Sequence, residues 1–497
     1  MRGTQGETMM RKFCWFEGSK FALMTALALG GCGGAAQSDT NADASGSTGA
    51  DASSTGEVQT TEPAGESGSS GEVVPEDAPT WHADIAPLVN ERCTGCHTEG
   101  GIAPYVFTSY ESTAPLAQAL VAAVESGSMP PWGAAITDEC TPPYGFKDDI
   151  TLDAEEIALL RAWSDAGAPE GDPELAAELP PPPDTELDPV DQVVQMDGSV
   201  TIDGTSDQFL CFSLDPGATE DRYFNGMQIV PGNDKIVHHV LVFLDETGDS
   251  ADQAGPDGSF DCDAGGLDGT LLGAWAPGTV PMRTPEDVGM RVTAGSRIVL
   301  NIHYHPTGLG PEVDDSTRVQ LDWMDEQPTW RGEMALVGNS NDPEELMPND
   351  GDRTDTPEFR IPAGAQGHLE EMVFEIPSDL PQLRVWAVGA HMHYVGTNMQ
   401  IRFQGDGYDD CMLETPNYSF EWQRLYNYDA PLDQLPLAIG GDRIYLRCEY
   451  DNSMNNPYVV EALDAQGLSE PIDVVLGEET LDEMCLGVFG IAVPSVL

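Results

Sequence analysis

From about residue 190 onward, apolar and polar positions alternate in short runs, among them "DKIVHHVLVFL" (234–244), "SRIVLNIHYH" (296–305) and "QLRVWAVGAHMH" (382–393). Side chains of a strand point alternately to its two faces, so this period predicts half-buried β-strands. Gly, Pro, Asn and Asp separate the runs, the punctuation of antiparallel β-sandwiches. Two such domains are predicted, over 190–327 and 328–497. Upstream the period changes. In "TLDAEEIALLRAWSDAGAPEGD" (151–172), Leu159, Leu160 and Trp163 share one helix face. Thr151 or Asp153 caps that helix, and Gly167 and Pro169 end it. A small helical domain is therefore predicted over 78–172. The stiff proline run "ELPPPPDTELDP" (178–189) falls in the linker that follows, 173–189.

The first residues read as an address. Arg11, Lys12 and Lys20 precede the apolar run "FALMTALALGG" (21–31), which is too short to span a bilayer, and Cys32 follows. "LGGC" (29–32) resembles a bacterial lipobox, which implies a signal over 1–32, cleavage before Cys32 and lipidation of its thiol. An ordinary signal with an incidental cysteine is the alternative. Residues 33–77 lack Lys, Arg, Phe, Trp and Tyr, so they cannot build a core and form a tether. The expected setting is an exported protein, lipid-anchored in a bacterial cell envelope. The 497 residues carry 85 acidic and 21 basic side chains, a formal charge of −64. Phosphate backbones are bound through Lys and Arg, so nucleic acid is excluded as a partner. The acidity serves solubility or attracts cationic partners.

Two of the ten cysteines, Cys93 and Cys96, lie in "CTGCH" (93–97). This is the c-type haem signature, in which two thiols add to the vinyl groups and the next histidine, His97, ligates iron. A redox dithiol or a zinc site is the alternative. "WHADIAPLVNERCTGCHTEGGIAPYVFTSY" (81–110) and "SGSMPPWGA" (126–134) resemble small bacterial cytochrome c domains. That resemblance implies an all-α cytochrome c domain with covalent haem c and Met129 as the second axial ligand, a pairing that raises the reduction potential. A core methionine is the plainer reading of Met129. His82 reads as a solvated histidine.

Of nine histidines, six fall in three pairs: His238/His239, His303/His305 in "LNIHYHPTG" and His391/His393 in "VGAHMHYVG". His-X-His on a strand sets both rings on one face, which suits metal chelation, although the spacing names no single metal. The stretches "DQFLCFSL" (207–214), "DKIVHHVLVF" (234–243), "FDCDAGGLDGTLLGAWAPGTVPMRTPEDVGMRV" (260–292), "LNIHYH" (300–305), "AVGAHMHYVG" (387–396), "YLRCEYDNS" (445–453) and "ETLDEMCLGVFG" (479–490) follow one another in a known order. Over about 187–497 the chain resembles the copper type II, ascorbate-dependent monooxygenases, the peptidylglycine α-hydroxylating and dopamine β-monooxygenase group.

The resemblance implies two jelly-roll-like sandwiches, each carrying one copper ion, with solvent between the sites. His238, His239 and His303 would hold an electron-transfer copper, and His391, His393 and Met484 the copper that meets O2. Adjacent strand residues face opposite ways, so a bulge, a twist or an unusual rotamer is expected at His238/His239. The family has no ligand at the position of His305, and His368 reads as a surface or core residue. Cys211 would pair with Cys262, and Cys448 with Cys485. Cys140 and Cys411 either bridge the haem domain to the last domain or stay as two separate thiols. The implied activity is hydroxylation of a C–H bond of a small substrate with O2, electrons coming from an ascorbate-like donor or from the haem by way of the His238/His239/His303 copper. A non-catalytic haem–copper electron carrier is the rival reading. Where the peptide-amidating enzymes carry an Arg, an Asn and a Tyr that clamp a substrate carboxylate, this chain has Gly389, Leu486 and Val488. A peptide C-terminus therefore has no charged anchor here, and a more apolar substrate is expected.

Overall fold

A computed structural model describes residues 78–495 except 205, 263–268 and 478–480. Cys32, the signal and the tether lie outside the described residues. The alternating runs form strands in three main sheets. A ten-stranded sheet contains, in order along its main path, Gln192–Gln195, Arg318–Trp323, Arg222–Val230, Val288–Val292, Trp330–Gly338, Leu486–Pro494, Leu383–His391 and Leu425–Asn427. Over its N-terminal half lies a five-stranded sheet ordered Ser259–Asp261, Gln208–Leu214, Arg297–Tyr304, Val237–Asp245, Thr270–Trp275. Gln366–Glu375, Arg443–Asp451, Gly396–Gly405 and Tyr408–Glu414 make a four-stranded sheet over the C-terminal half.

Burial follows the pleat. In Val237–Asp245, the residues Val240, Val242 and Leu244 enter the large core between the sheets. Phe243, on the opposite face, packs with Cys211, Phe260 and Val299 in a smaller cluster. The large core is continuous from Val240 and Phe224 through Met334 to Trp386 and Phe489.

Two expectations of the fold class are corrected. The two sandwiches are not separate bodies. Trp330–Gly338 pairs in parallel with Val288–Val292 and antiparallel with Leu486–Pro494, so one sheet crosses the predicted boundary at 327/328. Among the described residues a distinct all-α cytochrome domain is not present either. The fold is mostly β, and the described residues from 78 onward belong to one compact unit. The helices are few and short: Ala86–Arg92, Tyr110–Thr113, Ala117–Glu125 and Ala154–Asp165 in this region. They share a small core around Trp81, Ile85 and Trp163, and Asp153 with Glu156 makes a capping box on the last of them.

The physical reason lies in 130–150. Prolines at 130, 131, 142 and 143 keep this stretch from helix. Instead it runs along the β region. Trp132 and Ala134 join the large core, Ala135 N–H donates to the Glu414 carbonyl at 3.0 Å, and Lys147 N–H donates to that of Asn427 at 2.8 Å. A Cys140–Cys411 disulfide adds a covalent tie. Cys211–Cys262 and Cys448–Cys485 are also bonded. Among the described residues, no helix is long and apolar enough to cross a membrane.

Candidate metal centres

The first centre forms where two neighbouring strands lose step. His303 stands opposite His239, but Tyr304 stands opposite Val237, so His238 is the extra residue of a β-bulge. A bulge re-aims one side chain, which lets adjacent histidines converge. His238 Nδ1 lies 3.2 Å from His239 Nδ1, and His303 Nδ1 lies 3.3 Å from the same atom. An ion with metal–nitrogen bonds of about 2.0 Å holds its ligand atoms about 3 Å apart, so the donor set fits one transition-metal ion. Among the described residues, these three histidines form a cluster able to hold a metal.

Around this cup sit residues the sequence did not announce. Asp207 places one carboxylate oxygen 2.9 Å from His303 Nε2, off the line of a good hydrogen bond, and the other 2.8 Å from His305 Nδ1. A carboxylate on the far nitrogen of a ligating imidazole fixes its orientation and raises its basicity. Contact with both histidines holds Asp207 far below the usual carboxylate range despite its partial burial. His305 therefore serves Asp207, which raises its own pKa, and its ring lies 6.3 Å from that of His238. Phe209 stacks on His303 at 4.4 Å.

The second centre is at the end of Leu383–His391. The rings of His391 and His393 are 5.4 Å apart. His391 Nδ1 is hydrogen-bonded to Gln423 Oε1, and His393 Nδ1 lies 3.0 Å from the Asp482 carbonyl. Both carbonyl partners accept, so each Nδ1 carries the proton and each Nε2 is left with its lone pair for a metal. The Met484 backbone comes close to this place: its N–H and that of His393 both donate to Glu483 Oε1, just before the ladder on which His391 pairs with Leu486. Glu483 ties the two segments together. Its buried carboxylate accepts from the backbone N–H groups of His393, Val395 and Met484. Burial still pushes it up to about 8 against those bonds. The Tyr450 hydroxyl donates to the Met484 carbonyl at 2.8 Å.

Burial also keeps the imidazoles neutral, the form that binds metal. It lowers His238 to about 4 and His393 to about 3, with smaller contributions from neighbouring histidines. An unfolded chain takes up these protons near 6.5, whereas the folded chain resists them until about 4 or 3. The unfolded state thus binds more protons in that window. Metal-free protein is expected to lose stability as pH falls from 6.5, by at most about 1.4 kcal/mol per pH unit for each such histidine. Urea unfolding at pH 7, 5.5 and 4.5 checks this, and a stability that does not fall contradicts it.

The two centres meet at one ring. Phe420 stacks on His238 with centroids 5.9 Å apart and meets His393 edge-on at 6.0 Å. The expected solvent gap is thus closed at this place by an aromatic side chain.

In the haem motif, Cys93, Cys96 and His97 share one turn, with Cys96 and His97 N–H both donating to the Cys93 carbonyl. Neither thiol is in a disulfide. Burial, helped by its partner thiol, pushes Cys93 up to about 12. His97 Nδ1 is 2.9 Å from the Tyr105 carbonyl and its ring stacks on Phe107 at 4.3 Å, which leaves Nε2 for an axial bond. Met129 packs, half-buried, on the same small core as Cys93. These features fit a covalent haem. The remaining histidines are accounted for: His82 lies 3.4 Å from Glu170, and buried His368 bonds Glu370 at 2.9 Å.

No family model matches the sequence. Among solved structures, the chain is similar to the major capsid protein P2 from Bacteriophage PM2, at 10% identity over 61% of this chain and 97% of that one, with a TM-score of 0.25. It is also similar to a Paenibacillus xanthan lyase, at 11% identity over 64% of this chain and 28% of that one, with a TM-score of 0.17. At these scores neither likeness carries an argument about fold or function.

Proposed function

We propose that the protein is a copper-dependent monooxygenase of the peptidylglycine α-hydroxylating and dopamine β-monooxygenase kind, using O2 to hydroxylate a C–H bond of a small substrate and fused to its own c-type haem. The carrying observation is the pair of imidazole sites, one with three converging Nδ1 atoms and one with two Nε2 atoms left free by outer hydrogen bonds. Copper, when bound, supplies the one-electron chemistry that O2 requires. His238, His239 and His303 would hold one ion and Asp207 would orient His303. His391, His393 and Met484 would hold the other, and a thioether favours Cu(I). Three protein ligands leave a coordination position open, as catalytic sites require. Cys93, Cys96, His97 and Met129 would hold the haem. Three disulfides suit an exported, oxidising location, in keeping with the lipid anchor proposed at Cys32.

The substrate flank is apolar. Leu486 stands opposite His391 on the ladder, and Val488 stands opposite Gly389. A Cβ on Gly389 would sit 3.1 Å from the Arg424 carbonyl, so a larger side chain there has little room. Glycine-extended peptides are therefore expected to turn over poorly, and rapid amidation of one contradicts this pocket. The test of function is O2 consumption by copper-loaded protein with ascorbate across a panel of apolar small molecules, with product analysis. Coupled hydroxylated product supports the reading. Two bound coppers without O2 use would make the protein a haem–copper electron carrier instead.

A further inference from the structure

One stretch, Phe420–Tyr426, meets both histidine sites and packs on Trp132, close in sequence to Met129, and nothing in the sequence pattern singles it out. At one end it meets the haem segment twice. The Arg424 guanidinium lies over the Trp132 ring, 5.1 Å from its centroid, and Trp132 is three residues beyond Met129. Trp132 also meets Tyr426 edge-on at 5.0 Å, and Gly133 N–H donates to the Tyr426 hydroxyl at 3.1 Å. On the CTGCH side, the Gly278 loop joins the two. Arg424 donates to the Gly278 carbonyl at 3.2 Å, and a Cβ at Gly278 would lie 3.1 Å from Trp422 and 3.5 Å from Ile102, just past the motif.

At the other end the stretch meets both histidine sites. Gln423, next to Arg424, is hydrogen-bonded to His391 Nδ1 and donates from Nε2 to the Phe420 carbonyl at 2.9 Å. The Phe420 ring contacts His393 and, on its other side, His238. An electron tunnels faster through bonds and packed rings than across open solvent, so a continuous run of contacts is a favoured route.

We propose that Phe420–Tyr426 is the electron conduit of this protein, running from the haem segment through Trp132, Arg424 and Gln423 to the His391/His393 site first, and from there across Phe420 to the His238/His239/His303 site. The proposal rests on the copper–haem reading above and reverses the order in which the haem would serve the two coppers. Each step is a one-electron exchange: ferrous haem becomes ferric as cupric copper becomes cuprous, with no bond made or broken. An external one-electron donor of the ascorbate class restores the haem.

The test is anaerobic photoreduction of the haem in the full chain loaded with haem and copper, following the haem absorption band and the EPR signals of the two coppers. In the wild-type protein the His391/His393 copper is expected to be reduced before the other. Trp132→Leu should slow haem re-oxidation by about tenfold. Arg424→Lys, which keeps the charge but loses the planar stack, should slow it in the same direction and serves if Trp132→Leu does not fold. Phe420→Leu should leave haem re-oxidation at the wild-type rate and slow only the copper-to-copper step, again by about tenfold. Wild-type rates in all variants with intact haem spectra and two coppers would overturn the conduit alone. First reduction of the His238/His239/His303 copper would overturn its order. A wild-type protein that takes up no haem or no copper would overturn the copper–haem reading, and the conduit with it.

Discussion

Replacing His239 by alanine is expected to strip copper from the first centre while the second keeps its own. His239 is the hub of the cup, since its Nδ1 lies within 3.3 Å of the Nδ1 atoms of both other histidines. Without it two imidazoles remain, on strands whose register is set by the sheet and cannot close up around the ion. Loss of an outer partner of a metal ligand costs about 10–100-fold in affinity, and loss of the ligand itself costs more. Asp207→Asn is the graded control, expected within that 10–100-fold range because the remaining amide still faces His303 and His305. Equilibrium dialysis against a copper chelator, with metal counted per chain, reads both variants. A His239→Ala protein that keeps two tightly held coppers would remove the first centre from the scheme.

The second large effect is expected on stability. Glu483 is fully buried and accepts from at least three backbone N–H groups, those of His393, Val395 and Met484. Alanine at this position orphans them where water has little access. At about 1–3 kcal/mol for each unsatisfied group, Glu483→Ala should cost about 3–9 kcal/mol. Glu483→Gln keeps one acceptor oxygen in place and should cost less. Urea denaturation of both variants without metal decides the matter, because removing copper leaves only the structural role to be read. A change under about 1 kcal/mol for alanine would show that water or a repacked loop replaces the carboxylate.

Some of this was legible in the sequence and some was not, for physical reasons. The grouping of Cys93, Cys96 and His97 is readable because the three share one turn and need nothing distant to bring them together. The capping box at Asp153 and the buried face of Leu160 and Trp163 are local in the same sense. The histidine pairs stand out because imidazoles are scarce in this chain. The bulge that lets His238 and His239 share an ion is a property of the pairing with Tyr304, 66 positions further on in sequence number, and only the need for it could be foreseen. Asp207, Gln423 and Glu483 reach their histidines across long stretches of chain, and an acidic residue draws no attention in so acidic a sequence. In hindsight "DQFLC" carried one signal: once Phe209 pairs with His303, continuing that antiparallel register brings Asp207 level with His305. The fold class failed where composition misled. Residues 130–150 follow CTGCH and so read as part of a helical domain, but their prolines and aromatic residues make them a strap on the β core.

The sheet that crosses the expected domain boundary has a consequence for how this molecule can be taken apart. The parallel seam of Trp330–Gly332 with Val288–Met290 means that cutting between the halves would bare unpaired amides in the middle of a sheet, the kind of edge that recruits other chains. Neither half should survive as a soluble fragment, and a hinge that swings the two histidine clusters apart would have to tear that seam. Spacing between the two histidine clusters is therefore a matter of carpentry rather than of motion, set when the chain folds.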